Sequence, residues 1–343
     1  PKGCYIQLEK KASEVILANI RRSFGDRAGL IARIETFTQD SGLPLSLKNF
    51  IGYYHLDPRS IYGKFSFSRL CADAGVLDDF IEPAESILTK AFSKLVAVDS
   101  RRWIKFLTDI LPRFSCELAA SLSDFEKRML QMFYITVFQE AADWRSHTTK
   151  ANMQLLADSP IMMHELYELL ALNLERIDFI DQPVPLGFDC PLDLHCTYTR
   201  DQILIAMDYM TPKNVREGVK WLPDKQVDVF FITLNKADKD YSPTTMYNDY
   251  SINESLFHWQ SQSTTSDTAS TGQRYINHRQ RGSKVVLFVR EFKQDGIGAA
   301  PYTCLGTAAY VKHTGSKPMN ITWHLDQPIP AKYLRKTNKL VVG

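Results

Sequence analysis

The strongest constraint on the fold is a change of pattern near the middle of the chain. Residues 181–191 read DQPVPLGFDCP, in which three prolines and a glycine interrupt both helices and strands. Apolar residues recur at helical spacing before this segment, whereas β-branched and aromatic runs follow it. We therefore predict an α+β protein, with an all-helical connector domain over residues 25–188 and a β-rich domain over residues 189–343.

Two capping signatures predict where helices begin. Ser123 with Glu126 opens a helix that we expect to run to about Trp144, and Thr199 with Gln202 opens another. A side-chain oxygen at the first position of each pair can accept the backbone N–H three residues later, which fixes the start of a helix.

A third helix is predicted over Ile161–Leu174, where leucines and methionines recur at helical spacing. His164 and Glu165 begin an HELYE string in this helix. A zinc protease motif needs a second histidine four residues after the first, but Glu168 stands there. We therefore expect His164 and Glu165 to lie on a solvated helical edge.

Six short runs in the last third of the chain predict strands separated by turn residues. They are VKWL at 219–222, VDVFFITL at 227–234, QRYI at 273–276, KVVLFV at 284–289, YTCLGTAAYV at 302–311 and NITWHL at 320–325. So many short strands in about 125 residues predict a small barrel or pseudo-barrel.

The composition is that of an ordinary globular protein, with 44% hydrophobic and 23% charged residues among 343. The longest purely apolar strand run, Val285–Val289, is too short to cross a bilayer, so we expect a cytoplasmic protein with no membrane partner. The six cysteines are scattered, which favours free thiols. Cys190 and Cys196 flank His195, but their spacing is not that of a zinc site.

The charge is uneven along the chain. Residues 241–343 carry 12 Lys and Arg against 6 Asp and Glu, a net charge of +6, whereas the whole chain carries +2. A positive C-terminal third on a nearly neutral chain indicates a polyanion such as DNA as the partner.

The stretch YSINESLFHWQSQ at 250–262 supplies the side chains with which a protein could read that partner. Amides and imidazoles can hydrogen-bond to base edges, aromatic rings can stack on bases, and basic side chains can neutralise phosphates. We predict DNA contacts from eight residues. They are His258, Trp259, Gln260 and Gln262 near a base or groove edge, Tyr275 for stacking, and Arg274, Arg290 and Lys293 on phosphates.

Two alternatives remain open at this stage. Glu291 and Lys293 leave a hydrophobic strand as an acid-x-lysine pair, which is half of a Mg²⁺-dependent nuclease signature. The second acid would be Asp249, Glu254 or Asp267. In the other alternative the module is a scaffold for a partner subunit or a homo-oligomer, with no chemistry of its own.

Long segments resemble a bacterial domain of unknown function that follows the motor of superfamily-two DEAD/DEAH-box helicases. The resemblance is carried by YSPTTMYNDYSINESLFHWQSQ at 241–262, GQRYINH at 272–278, GSKVVLFVREFK at 282–293 and APYTCLGTAAYVKHTGSKPMNITWHL at 300–325. GCYIQLEKKASEVILANIRRSF at 3–24 resembles the closing strand and helix of the motor's second RecA-like lobe.

The resemblance implies a fragment of a larger helicase-like protein that acts in restriction or phage defence. Its motor domains would be partners in cis and would use ATP and Mg²⁺, whereas no cofactor is expected in this fragment. No GxxxxGK[ST] phosphate loop and no HxK nuclease motif occurs in the sequence, so neither activity is carried over. For the β-rich domain, the analogy is with pseudo-barrels that read modified or flipped bases.

Overall fold

The computed structural model describes residues 26–234 and 249–337. The segment 1–24 that resembles the end of a RecA-like lobe lies outside the described residues. The described α-helices are α1 Arg27–Ser41, α2 Leu47–Tyr53, α3 Arg59–Tyr62, α4 Phe67–Asp73, α5 Glu85–Leu95, α6 Arg101–Ile110, α7 Cys116–Ser121, α8 Asp124–Phe138, α9 His147–Ala157, α10 Pro160–Glu175, α11 Arg200–Ala206, α12 Ser270–Ile276 and α13 Ala331–Thr337.

The described strands all follow the proline-rich segment, as predicted. They are β1 Thr197–Tyr198, β2 Val219–Leu222, β3 Val227–Thr233, β4 Tyr250–Ser251, β5 Leu256–Gln260, β6 Lys284–Arg290, β7 Tyr302–Thr314 and β8 Asn320–Leu325. The α+β class is therefore confirmed. Within the described part of the chain, none of the helices is long and apolar enough to cross a membrane.

The described chain divides into two compact units, and the division does not follow the sequence boundary at residue 188. One unit contains the described residues up to Val96 together with Asn152–Leu172. The other contains Ala97–Ala151 and the described residues from Asn173 onward. Helices α6 and α8 thus belong to the same unit as the sheet, because Arg102 of α6 pairs with buried Asp193 and α8 bonds to α11 through Thr136 and Gln202.

A buried carboxylate organises the first unit. Glu165 of α10 is 1% exposed, and its two oxygens accept the backbone N–H groups of Phe67 at 2.5 Å and Ser68 at 2.8 Å. These N–H groups open α4 and have no partner inside that helix. The expectation of a solvated edge is wrong for Glu165, because it anchors the start of another helix, whereas His164 is exposed.

Removal of this carboxylate is expected to destabilise the protein. Glu165→Ala leaves two N–H groups of α4 buried without partners, so we expect a loss of about 3 kcal/mol in the free energy of unfolding, measured by urea titration. His164→Ala, one residue away on the exposed side, is the matched control and should change stability by less than about 0.5 kcal/mol. Equal effects of the two substitutions would contradict the anchoring role.

Both predicted capping boxes are present. The hydroxyl of Ser123 accepts the N–H of Glu126 at the start of α8, and Thr199 does the same for Gln202 at the start of α11. Helix α8 ends at Phe138, earlier than predicted, because Gln139 adopts a left-handed backbone conformation with φ of 63°.

The eight strands form one mixed sheet in the order β2-β3-β6-β7-β8-β5-β4, and β1 pairs with the start of β7. β3 and β6 are parallel, and the other neighbours are antiparallel. The sheet curls strongly, as shown by the rings of Phe230 on β3 and Trp259 on β5, whose centroids lie 4.3 Å apart. In a flat sheet these strands, four spacings apart, would be separated by about 19 Å.

The curled sheet is not closed, since β2 and β4 remain its two ends. A closed barrel is therefore not observed, and the pseudo-barrel describes only the curvature. The concave face holds an aromatic and aliphatic core, which includes Phe230, Phe257, Trp259, Tyr275 and Trp323.

One predicted strand is a helix. QRYI at 273–276 forms the second half of α12, in which Gly272 and Tyr275, three residues apart, are the buried positions. A Cβ at Gly272 would lie 2.0 Å from the carbonyl oxygen of Ser266. This close approach needs glycine, and it packs the Ser/Thr-rich loop against the helix.

A bulge in β7 is held by a histidine. The pairing of β7 with β8 shifts register between Tyr310 and Lys312. His278 is 3% exposed, and its Nε2 accepts the backbone N–H of Tyr310 at 3.1 Å, while Nδ1 lies 3.1 Å from the carbonyl oxygen of Ser283. Both bonds form together when the ring is neutral with its proton on Nδ1. Burial is the main cause that lowers the pKa of His278.

His278 should make stability depend on pH. Its pKa is lower in the folded than in the unfolded protein, so its contribution is present above the unfolded value of about 6.5 and is lost as the pH falls. We expect unfolding free energies measured from pH 7.5 to 5.5 to fall less steeply for His278→Gln than for the wild type, by up to about 1.4 kcal/mol per pH unit.

At pH 7.5 His278→Gln should itself be destabilised by about 2 kcal/mol. His324→Gln removes an exposed histidine from the same sheet and is the control. If wild type and His278→Gln showed parallel pH profiles, the neutral buried ring would be refuted.

Candidate nucleic-acid interface

Strand β5 divides the predicted site between two faces of the sheet. Successive side chains of a strand point to opposite faces. Trp259 therefore points into the concave core, where it is 5% exposed, and His258 and Gln260 point to the convex face. The cluster that is contiguous in sequence is thus not contiguous in space.

The convex face of β4, β5, β8 and the end of β7 is polar and partly open to solvent. The ring of Tyr250 stacks on His258 with centroids 4.7 Å apart, and Nε2 of Gln260 donates to Oδ1 of Asn320 at 3.3 Å. The cross-strand partners in this area also place Thr322 beside His258 and exposed His324 beside Leu256. We call this surface the open polar face. Its members are Tyr250, Leu256, His258, Gln260, Lys312, Thr314, Asn320, Thr322 and His324.

Sequence reasoning identified two residues of this face and missed the others. Asn320, Thr322 and His324 lie on β8, about 60 residues after His258. Only strand pairing brings them beside β5, and the register of that pairing is not readable from one sequence. The alternation of polar and apolar residues in NITWHL is the signal that could have found them.

Trp259 and Tyr275, the two aromatic residues predicted to contact DNA, are core residues. Trp259 and Tyr275 contact the ring of Phe230, at 4.3 and 5.5 Å between centroids, and Tyr275 is 1% exposed. Burial raises the pKa of the Tyr275 phenol. A base cannot stack on a ring whose faces are covered, so packing accounts for both residues in this structure.

Arg274 is committed to an internal partner. Its Nε and Nη2 donate to the two carboxylate oxygens of Asp228, at 2.8 and 2.9 Å, and Asp228 is 0% exposed. Burial raises the pKa of Asp228, and the guanidinium opposes that rise. Arg274 also lies over the ring of Trp221, 4.5 Å from its centroid. The structure therefore places Arg274 in a buried ion pair, which a phosphate contact would have to break.

Arg290 and Lys293 lie elsewhere, at the end of β6 and in the connection to β7. Nε of Arg290 donates to Oγ1 of Thr233 at 2.9 Å, and its guanidinium lies 4.4 Å from the ring centroid of Tyr302. The carbonyl oxygen of Lys293 accepts the N–H of Ala300 at 3.0 Å. Neither residue belongs to the open polar face.

Gln262 belongs to the packed Ser/Thr-rich loop. Its Oε1 accepts the hydroxyl of Thr265 at 3.2 Å, and Thr265 and Ser266 are buried. The carbonyl oxygen of Thr265 accepts the N–H of Lys317 in the turn between β7 and β8. Internal hydrogen bonds thus hold this loop against the turn between β7 and β8.

Two of the three acids proposed for a nuclease site, Asp249 and Asp267, lie far from Glu291 along the sheet. Asp267 accepts the Ser316 hydroxyl at 3.0 Å beyond the end of β7, which lowers its pKa, whereas Glu291 precedes β7. The 13 residues of β7 span on the order of 40 Å. The side chain of Asp249 accepts the N–H of Gln260. Gln260 pairs with Asn320, which pairs with Thr314 at the far end of β7.

Glu254, the third candidate acid, lies in the turn between β4 and β5, where its carbonyl oxygen accepts the N–H of Ile329. Among residues 26–234 and 249–337, no group of three or more His, Cys, Asp or Glu side chains is arranged to hold a metal ion. The thiols of Cys190 and Cys196 donate to the carbonyl oxygens of Ala206 and Asp99.

Comparison with known proteins adds a family match to this geometry. A search of curated proteins gave no match for the chain. Residues 192–336 match the family described as Domain of unknown function (DUF3427). The match takes in all the described strands, together with α11, α12 and most of α13. The residues that match this family therefore include the whole curled sheet and its open polar face.

Proposed function

We propose that the open polar face binds DNA and that the module thereby targets or gates a motor carried by the same protein. The observation that carries the proposal is the juxtaposition of His258, Gln260 and Asn320 on a partly exposed sheet face. Imidazole and amide groups match the donor and acceptor patterns of base edges. A two-stranded or larger β-surface is a known way to present such groups to a groove.

Charge supports a polyanion as the ligand. The last 103 residues carry a net charge of +6, and Lys312, Lys317, Arg279 and Arg281 are exposed among them. Lys312 lies on the open polar face itself, opposite Thr322 on β8. A lysine beside amide side chains supplies the phosphate contact that positions a reader, while the amides supply specificity.

The resemblance to the domain that follows helicase motors supports the wider role. Under that reading the face would recognise DNA, including duplexes with modified or flipped bases, for a helicase-like protein of restriction or phage defence. The aromatic group available on the open polar face is Tyr250, stacked on His258. It replaces Trp259 and Tyr275 as the candidate for base stacking.

The proposal predicts a loss of DNA affinity in a His258→Ala, Gln260→Ala double variant. Each lost base-edge contact costs about 1–3 kcal/mol, so the dissociation constant for duplex DNA should rise at least about tenfold. The measurement is a fluorescence anisotropy titration at 50 and 200 mM salt with single-stranded, duplex and base-modified duplex probes. Circular dichroism and thermal unfolding establish that the variant is folded.

The matched control removes the same two residue types from a helix. His147 and Gln154 are exposed on α9, so His147→Ala, Gln154→Ala should leave affinity unchanged. Wild-type binding should weaken steeply between the two salt concentrations. Undiminished affinity in the folded sheet variant would remove the open polar face from the interface, and cleavage of the probe in the presence of Mg²⁺ would favour the nuclease alternative.

A further inference from the structure

Two arginines flank one tyrosine on the convex side of the sheet, at the ends of β3 and β6. Arg290 lies over the ring of Tyr302, with Cζ 4.4 Å from the ring centroid. Arg200, the first residue of α11, approaches the hydroxyl end of the same tyrosine, with Nη2 3.4 Å from Oη. The sequence predicts a helix at Arg200 but no link to Arg290, because 90 residues separate the two.

Neither guanidinium has an acidic partner among the described residues. Arg200 donates to the carbonyl oxygen of Val215 and to Tyr302, and Arg290 donates to Thr233 and to the carbonyl oxygen of Ala300. Eight other described arginines do pair with carboxylates. They are Arg27, Arg69, Arg101, Arg102, Arg113, Arg128, Arg274 and Arg279.

The absence of an acidic partner for Arg200 and Arg290 among the described residues matters because both side chains are only partly exposed. A charge that is partly removed from water is normally compensated by an opposite charge. Asp201, Glu217 and Glu291 are acids close in sequence to this pair, but none of the three is within ion-pair distance of a described cation. Two adjacent positive charges are therefore left for an external anion.

The two guanidiniums are also held in place. Arg200 Cζ lies 4.8 Å from the ring centroid of Phe231, and Phe231 packs against Tyr302 with centroids 5.4 Å apart. Each guanidinium carries five N–H donors and uses two in its described bonds, which leaves three. A planar fork that is already fixed loses little entropy when it binds the oxygens of a phosphate.

We infer that Arg200 and Arg290 form a phosphate-binding site on the opposite side of the domain's sheet from its aromatic core. The inference rests on the proposed function for the source of the phosphate, which is then the backbone of the DNA held at the open polar face. The site extends the interface beyond β4, β5 and β8 to the ends of β3 and β6. Exposed Arg216 follows Val215, the acceptor of Arg200, and adds positive charge beside the pair.

The test is an Arg200→Gln, Arg290→Gln double variant in DNA titrations from 50 to 200 mM salt. Loss of one or two phosphate contacts should raise the dissociation constant about tenfold and reduce the slope of log affinity against log salt by about 1 to 2 units. Arg281→Gln removes an exposed charge from the same domain and should change the slope by less than half as much. Arg200→Lys, Arg290→Lys keeps the charge, and it decides the test if the glutamine variant does not fold.

A second probe separates this site from the proposed function. Pyrophosphate binding to the wild type and to each variant is measured through the broadening of the ³¹P resonance of pyrophosphate. If DNA binding needs His258 and Gln260 but is indifferent to Arg200 and Arg290, the phosphate site is refuted and the proposed function stands. If DNA does not bind but pyrophosphate binds and is lost in the arginine variant, the site stands and the proposed function fails. Binding of neither probe refutes both.

Discussion

The meeting of Phe230 with Trp259 across the concave side of the sheet is the contact on which the rest of the domain depends. Strands that are four spacings apart touch only if the sheet curls, and burial of these two rings with Tyr275 and Trp323 stabilises the curl. Because side chains alternate along a strand, turning Trp259 inward turns His258 and Gln260 outward. The core thus determines which polar groups can meet a ligand.

Burial and pairing also sort the basic residues. Arg274 and Arg290 look equivalent in sequence, since each lies near a β-branched or aromatic run in the basic third. In the structure, two nitrogens of the Arg274 guanidinium donate to the buried carboxylate of Asp228. Arg290 instead donates to neutral oxygens of Thr233 and Ala300, and its guanidinium lies over the ring of Tyr302. Charge alone could not separate them. The difference depends on whether a carboxylate packs beside the arginine in the fold, and it decides which arginine could bind an anion.

Local chemistry was readable from the sequence, and tertiary chemistry was not. The capping pairs Ser123 with Glu126 and Thr199 with Gln202 fix helix starts through contacts three residues apart, so they were predictable. Five of the six predicted strand runs form strands, because their β-branched and aromatic composition is also a local signal. QRYI was misassigned because Tyr275 and Ile276 favour strands. The packing of Gly272 against Ser266 and the burial of Tyr275 on the same side of the helix depend on the tertiary fold and leave no such local signal.

The convex face of the sheet differs between its two halves. Near the start of β7 this face carries the buried rings of Phe231, Phe288 and Tyr302. Arg200 lies over Phe231, and Arg290 lies over Tyr302. Toward the end of β7 the face carries lysine, threonine, amide and histidine side chains instead. Polar side chains are common wherever an antiparallel sheet faces solvent, so their presence agrees with this half being uncovered. In the proposed function these hydrogen-bonding side chains bind the ligand, and Arg200 with Arg290 adds a phosphate contact at the other end of the same face.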